Sequence, residues 1–284
     1  MTDQEIINRL RSVCHFKYVM EEDRCTEISF HDCDVFGGTI RKHPLRYDIA
    51  AEAAKLPNLK KFDIRKCKVG YLPDMASNLL EYLDVSCNDL LAVPSWIANQ
   101  KSLKYLNLGA NKIFEVPDLS GLPLETLKLH KNSISKMPKT GMLKSLNLYL
   151  NRMKKIPAEV FDLSSLEVFT FGVSEASELP SLASLPNLRW LTLSVTSIAA
   201  LPDDICSLRR LEGLQLAKNE IASLPENIGE MTSLKALTLY SNRLTELPDS
   251  FFSLRLKKLN LARNPLSRTD RVRSTFAGCD FLEC

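Results

Sequence analysis

No stretch of this 284-residue chain is apolar for long enough to span a bilayer. No two cysteines stand at C-x-x-C spacing and there is no H-E-x-x-H, so a metal site has no support. The phosphate-cradling G-x-x-x-x-G-K-[ST] and the nucleophile-bearing G-x-S-x-G are also missing. The four histidines, His15, His31, His43 and His130, are scattered rather than grouped. These gaps remove the usual signatures of catalysis, and neither an enzyme activity nor a cofactor is expected. The first residues are acidic and polar instead of basic and then apolar, which is not the pattern of a secretory leader. Eight cysteines occur without tight clusters, so reduced thiols in a cytoplasmic setting are expected, although Cys33 and Cys67 are spaced to stack. Net charge is +3, too small to argue for nucleic acid or a membrane surface by itself.

What the chain does have is one sentence, repeated. Residues 211–233 read LEGLQLAKNEIASLPENIGEMTS, and residues 234–255 say nearly the same thing. The frame is L-x-x-L-x-L-x-x-N-x-L, and it opens at Leu59, Leu80, Leu103, Leu124, Leu143, Leu166, Leu188, Leu211, Leu234 and Leu256. Leu214 and Leu216 alternate with exposed residues, the period-two pattern of a half-buried strand. Asn219 then ends the strand, and Pro225 falls fourteen residues after Leu211. Proline recurs at that offset at positions 73, 94, 117, 138, 157, 180, 202 and 248, where its fixed φ turns the chain to the far side. A short helix or 3₁₀ turn is expected there to carry a second apolar group inward.

The pattern resembles the leucine-rich repeat family, over residues 59–266 at least. The L-P-x-x-I-x-x-L half is similar to the intracellular Ras-group-related and Ras-suppressor class. The resemblance implies an α/β solenoid, a right-handed horseshoe with a parallel sheet on its concave face and short helices or 3₁₀ turns on the convex side. A unit of about 20 residues cannot bury its own apolar face, so stacked neighbours have to do it. Asparagine at the ninth position offers donors and an acceptor to inward-facing backbone groups. Asn88, Asn111, Asn132, Asn151, Asn219, Asn242 and Asn264 are expected to form that ladder; Cys67, Ser174 and Thr196 replace it.

Three segments follow from the frame. Residues 1–24 read as an N-terminal capping helix, with Thr2 and Glu5 at capping-box spacing before Ile6, Ile7, Leu10, Val13 and Cys14. A partner-binding helix is the alternative. Residues 25–266 form the repeat domain of about eleven units. The first is degenerate, with Cys25, Ile28, Phe30, Cys33 and Val35 in frame, and carries an insertion at 36–58 that includes Gly37, Gly38 and Pro44 and a helical stretch from Tyr47 to Leu56. Residues 267–284 read as a C-terminal cap. The 124–142 repeat is the shortest and leaves little room for a convex helix. The 166–187 repeat has lost both its Asn and a large apolar group, so a locally weaker core is expected there.

Alternation turns the third, fifth and seventh residues of each frame outward on strands about 4.8 Å apart. In the third column Tyr82 and Tyr105 are neighbours, with Asp84 and Asn107 beside them. Trp190 lies among Val168, Gly172, Ser194, Gly213 and Ala217, small groups that leave a partner room to enter. The expected function is a non-catalytic scaffold or adaptor that binds another protein on this face through Trp190, Tyr82, Tyr105, Tyr149 and Tyr240. His130 and Lys128 are expected to set specificity. The resemblance implies a signalling partner, such as a small GTPase, phosphatase or kinase. Two alternatives stand beside it: a regulatory subunit of a phosphatase or ubiquitin ligase, and anion, lipid-surface or RNA binding through basic ends. Those ends hold Lys60, Lys61, Arg65, Lys66 and Lys68, and Lys257, Lys258, Arg263, Arg268, Arg271 and Arg273.

Overall fold

The computed structural model describes residues 1–12, 15–31, 49–267 and 269–283. Val13, Cys14, Arg268, Cys284 and the greater part of the 36–58 insertion, with Cys33 and Val35 before it, lie outside the described residues. The chain divides into two units, Met1–Leu143 and Lys144–Cys284. In each, strands follow one another across a sheet in sequence order.

The first unit opens with helix α1, Asp3–Arg11, under a complete Thr2–Glu5 capping box. Its apolar face buries Ile6, Ile7 and Leu10. The helix does not extend over the whole 1–24 segment, because Lys17–Glu21 forms strand β1. It pairs antiparallel with β2, Arg24–His31. Glu22 and Asp23 both take positive φ at the turn, the geometry whose twist matches that of the flanking strands. From β2 onward all pairing is parallel. β3 (Lys61–Arg65), β4 (Tyr82–Asp84), β5 (Tyr105–Asn107) and β6 (Thr126–Lys128) set Lys61, Tyr82, Tyr105 and Thr126 in one register. Ile28 and Phe30 of the degenerate first repeat face Phe62 and Ile64, as its frame requires. Helix α2, Ile49–Ala53, covers this end with Ala50 and Ala53 inward.

The second unit repeats the arrangement with β7 (Ser145–Asn147), β8 (Val168–Gly172), β9 (Trp190–Ser194), β10 (Gly213–Gln215), β11 (Ala236–Thr238) and β12 (Lys258–Asn260). The C-terminal cap is more than a lid. After helix α3, Asp270–Thr275, residues Phe281–Glu283 add strand β13 parallel to β12, with Leu282 beside Leu259.

Both cores are columns of leucine with isoleucine, valine and phenylalanine, among them Leu83, Leu106 and Leu127, and Phe169, Leu191 and Leu214. On the far side, 3₁₀ turns start at Ser95, Ala158, Asp203 and Asp249. Each is preceded by its repeat proline at φ between −61° and −68°. The short 124–142 repeat runs back without such a turn among the described residues. Its Thr140 forms a lone bridge with Leu119.

Every asparagine of the ninth column donates its amide to carbonyls of its own turn or the turn before. Asn88 bonds Ile64 and Val85 at 2.7 and 3.0 Å, and its oxygen accepts from the Cys67 and Val69 amides. Asn111 and Asn132 repeat this in the first unit. Asn219, Asn242 and Asn264 do so in the second, where Asn151 donates to the Leu148 carbonyl. The residue just before this column is left-handed in all ten repeats, at φ between 53° and 60°, and never glycine. In two of them it is the β-branched Val173 or Val195, for which this region is most costly.

The 166–187 repeat does not loosen its strand. β8 and β9 are five residues long and in register throughout, from Val168↔Trp190 to Gly172↔Ser194. Where Ser174 replaces asparagine, backbone pairing continues one residue further, its amide donating to the Val195 carbonyl, while the Thr196 hydroxyl donates to the Asn219 side chain. At Ser174 a ladder bond between main-chain groups supplies what the shorter side chain cannot reach.

Candidate functional site

The outward face of β3–β6 brings together four of the sequence-predicted residues. Neighbouring parallel strands in one register hold equivalent side chains about 4.8 Å apart. Tyr82 and Tyr105 therefore stack, with ring centroids 4.3 Å apart and planes 4° from parallel. Such a pair contributes on the order of 1 kcal/mol beyond its burial. A lysine closes each end: Lys61 Nζ is 5.6 Å from the Tyr82 centroid and Lys128 Nζ 5.2 Å from that of Tyr105. Burial first, then Tyr105 and the carboxylates of Asp84 and Asp63, hold the Tyr82 phenol above its ordinary range, so it is a neutral donor at physiological pH.

Beneath the aromatic pair lie two carboxylates, Asp63 and Asp84, each only 2% exposed. The sequence reading offered Asp84 and Asn107 as groups beside the tyrosines for a partner; the structure spends them internally. Asp84 accepts from the Ser86 amide and hydroxyl and from the Asn107 side chain at 2.9 Å. Asn107 in turn accepts from the Gly109 amide. Asp63 takes two hydrogen bonds from the Arg65 guanidinium at 2.7 and 3.2 Å. The groups left to an incoming molecule are the rings and Lys128.

His130 sits at the edge of the same patch, its ring over Gly109. A Cβ at Gly109 would stand 2.1 Å from the imidazole, so that glycine is what admits the ring. Burial foremost, then Lys128 and Lys131, lower its pKa, while Asp84 opposes. The ring is thus neutral, and its buried Nδ1 has no hydrogen-bond partner among the described residues. Lys128 makes no ion pair among the described residues.

Trp190, Tyr149 and Tyr240 lie on the second unit. Trp190 is 41% exposed. The space that the sequence suggested for a partner beside it is filled by its own indole, since a Cβ at Gly213 would meet Trp190 Cε3 at 2.0 Å. Arg263 stands 5.3 Å over the Tyr240 ring. Tyr149 is half-buried, its amide donating to Asn147.

The basic ends are neutralised in part. Lys60 pairs with Glu21, Lys61 with Glu27 and Arg65 with Asp63. Arg271 pairs with Asp249 while lying 3.8 Å over the Phe252 ring.

One set of residues escaped the sequence reading although its signal is plain there. The second frame position alternates in sign over nine frames, Lys60, Glu81, Lys104, Glu125, Lys144, Glu167, Arg189, Glu212 and Lys235, before Lys257 in the tenth breaks the pattern. In the first unit Lys104 bonds Glu81 at 3.5 Å. In the second, Glu212 receives both Arg189 and Lys235, and these two bonds hold its carboxyl down to about 2.

Among the described residues no group of acidic, histidine and cysteine side chains could hold a metal ion, and no helix is long and apolar enough to cross a membrane.

Comparison with known proteins follows the same lines. Residues 170–272 match the model of a leucine-rich repeat region. A solved leucine-rich-repeat protein of Leptospira interrogans superposes at a TM-score of 0.72 and 32% identity, over 81% of this chain and 62% of that one. The protein SUPPRESSOR OF npr1-1, CONSTITUTIVE 1 of Arabidopsis thaliana is 31% identical over 169 residues, 56% of this chain and 11% of its own length. Leucine-rich repeat-containing G-protein coupled receptor 4 of Mus musculus is 35% identical over 98 residues, 31% of this chain and 10% of the receptor. The chain thus spans about a tenth of these two relatives. Strand register, asparagine ladder and these likenesses agree: the chain has the leucine-rich-repeat fold, and its residues 170–272 match the leucine-rich repeat region.

Proposed function

We propose that the chain is a non-catalytic interaction module that holds a protein partner on the open face of its first unit. The observation that carries this reading is the Tyr82–Tyr105 stack, closed at both ends by Lys61 and Lys128. Two rigid aromatics offer a large contact area at little entropic cost, and such groups dominate binding hot spots. Their supports are already bonded, so the patch is preorganised and does not have to be ordered when a partner arrives. Lys128 and the neutral His130 supply polarity at its rim. Trp190, Tyr149 and Tyr240, in the other unit, are not required. The repeat's likeness to the Ras-group-related class supports a partner within a signalling assembly. The free thiols of Cys25, Cys87, Cys206 and Cys279 support a reducing, cytoplasmic setting. Anion capture by the basic ends has less support, because Lys60, Lys61, Arg65 and Arg271 are already paired.

The test is a photo-reactive phenylalanine at position 105 to trap and identify the partner, followed by titration of that partner against purified variants. Tyr82→Ala and Tyr105→Ala are each expected to weaken binding about tenfold or more, and Tyr105→Phe only slightly. Unchanged affinity in both alanine variants, with circular dichroism intact, overturns the reading.

A further inference from the structure

The open face of the second unit has a chemistry of its own. Across the four repeats of β8–β11 the third, fifth and seventh frame positions carry no charged side chain. Of the charges that border this field, Arg189 and Lys235 are bound to Glu212 and Arg263 lies over Tyr240, which leaves Lys258 at its β12 edge beside Ala236. Near its centre the Trp190 indole rests across Gly213, against bare backbone on one side and 41% exposed. Around it stand Thr170, Thr192, Gln215 and Thr238, none of whose side chains makes a hydrogen bond among the described residues. The face thus combines an exposed aromatic plane, unused hydroxyl and amide groups that both donate and accept, and no ion to pair.

We propose that this face is a stacking platform for a neutral saccharide, with a sugar ring on the Trp190 indole and its hydroxyls bonded by Thr170, Thr192, Gln215 and Thr238. A sugar ring presents an apolar C–H face to an aromatic plane and hydroxyls at its edge. Each hydroxyl donates and accepts, as threonine and glutamine side chains do. An anionic or cationic ligand finds no counter-charge here. An uncharged peptide meets the same neutrality, but its backbone carries only one donor and one acceptor per residue. The reading is independent of the tyrosine patch, which lies in the other unit.

The experiment screens the whole chain on an array holding neutral and anionic oligosaccharides and uncharged peptides, then titrates the strongest neutral glycan. Titration calorimetry is the readout for every variant, and where Trp190 is present its fluorescence is a second one, against the fixed signal of the buried Trp96. Saturable binding is expected, unchanged between about 50 and 500 mM salt because no counterions are released. Trp190→Ala abolishes it. Gly213→Ala keeps the tryptophan but forces the ring off the sheet, and weakens binding about tenfold or more; alanine is the residue at the equivalent position 236. Retention of no neutral glycan overturns the proposal. So does preference for anionic glycans, saturation by an uncharged peptide instead, or binding that survives in a folded Trp190→Ala variant.

Discussion

A left-handed residue precedes the ladder position in each repeat, and the chain fills it with lysine, alanine, leucine and even valine. For an L-residue this region costs on the order of 1–2 kcal/mol, and β-branching adds to the crowding. Asparagine tolerates it. Val195→Asn is therefore expected to raise stability by about 1 kcal/mol in urea titration, while Lys218→Asn changes it less. Titration gives a second handle. His130 has its pKa lowered by burial, so the folded state favours the neutral ring. Its contribution is complete above the unfolded value of about 6.5 and is lost as pH falls below it. The wild type should lose more stability than His130→Gln between about pH 7 and pH 5, and equal losses would show that the ring is not held neutral. Sequence alone exposed the residue types here and not their contacts. Gly213 looked like free space beside Trp190, and only the 2.0 Å approach shows the space already taken.

Among the elements, the strands were readable because leucine alternation recurs at every frame, so each repeat confirms the next. The ends were not, since each terminal element occurs once. Lys17–Glu21 alternates Tyr18 and Met20 against Val19 over only five residues, and follows a strong helix signal. Phe281–Glu283 is shorter still. The ladder that joins the elements is a polar column inside an apolar solenoid, which makes it expensive to break. Asn219→Ala removes the side chain that bonds the Leu193 and Leu216 carbonyls and accepts from Ile198. Each buried group left unpaired costs about 1–3 kcal/mol. The substitution should cost on the order of 3 kcal/mol, well above Ser174→Ala, whose hydroxyl accepts a single 3.3 Å bond from Ala176. Similar losses at the two sites, measured by thermal unfolding, would deny the ladder its role.

At the scale of the molecule, stability in such a protein is close to a sum of repeat and nearest-neighbour terms. Leu106 and Leu214 are fully or almost fully buried, one in each unit. Leu106→Ala and Leu214→Ala should each cost about 2–5 kcal/mol, and the double variant should match their sum within about 0.5 kcal/mol in urea titration. A marked departure from additivity would mean that the units do not store their stability separately. Fold was therefore legible from a single frame, whereas the two surface chemistries, aromatic and basic on one unit and neutral on the other, depend on which side chains are already spent.

The alternating signs at the second frame position carry one more meaning. Lys104 is bonded to Glu81, and Glu212 to both Arg189 and Lys235, because odd and even repeats differ there. Excising one internal repeat would set glutamate against glutamate or cation against cation, whereas excising two would restore the alternation. From Lys60 to Lys235 the rim of the sheet therefore keeps parity, which the last step, Lys235 to Lys257, breaks.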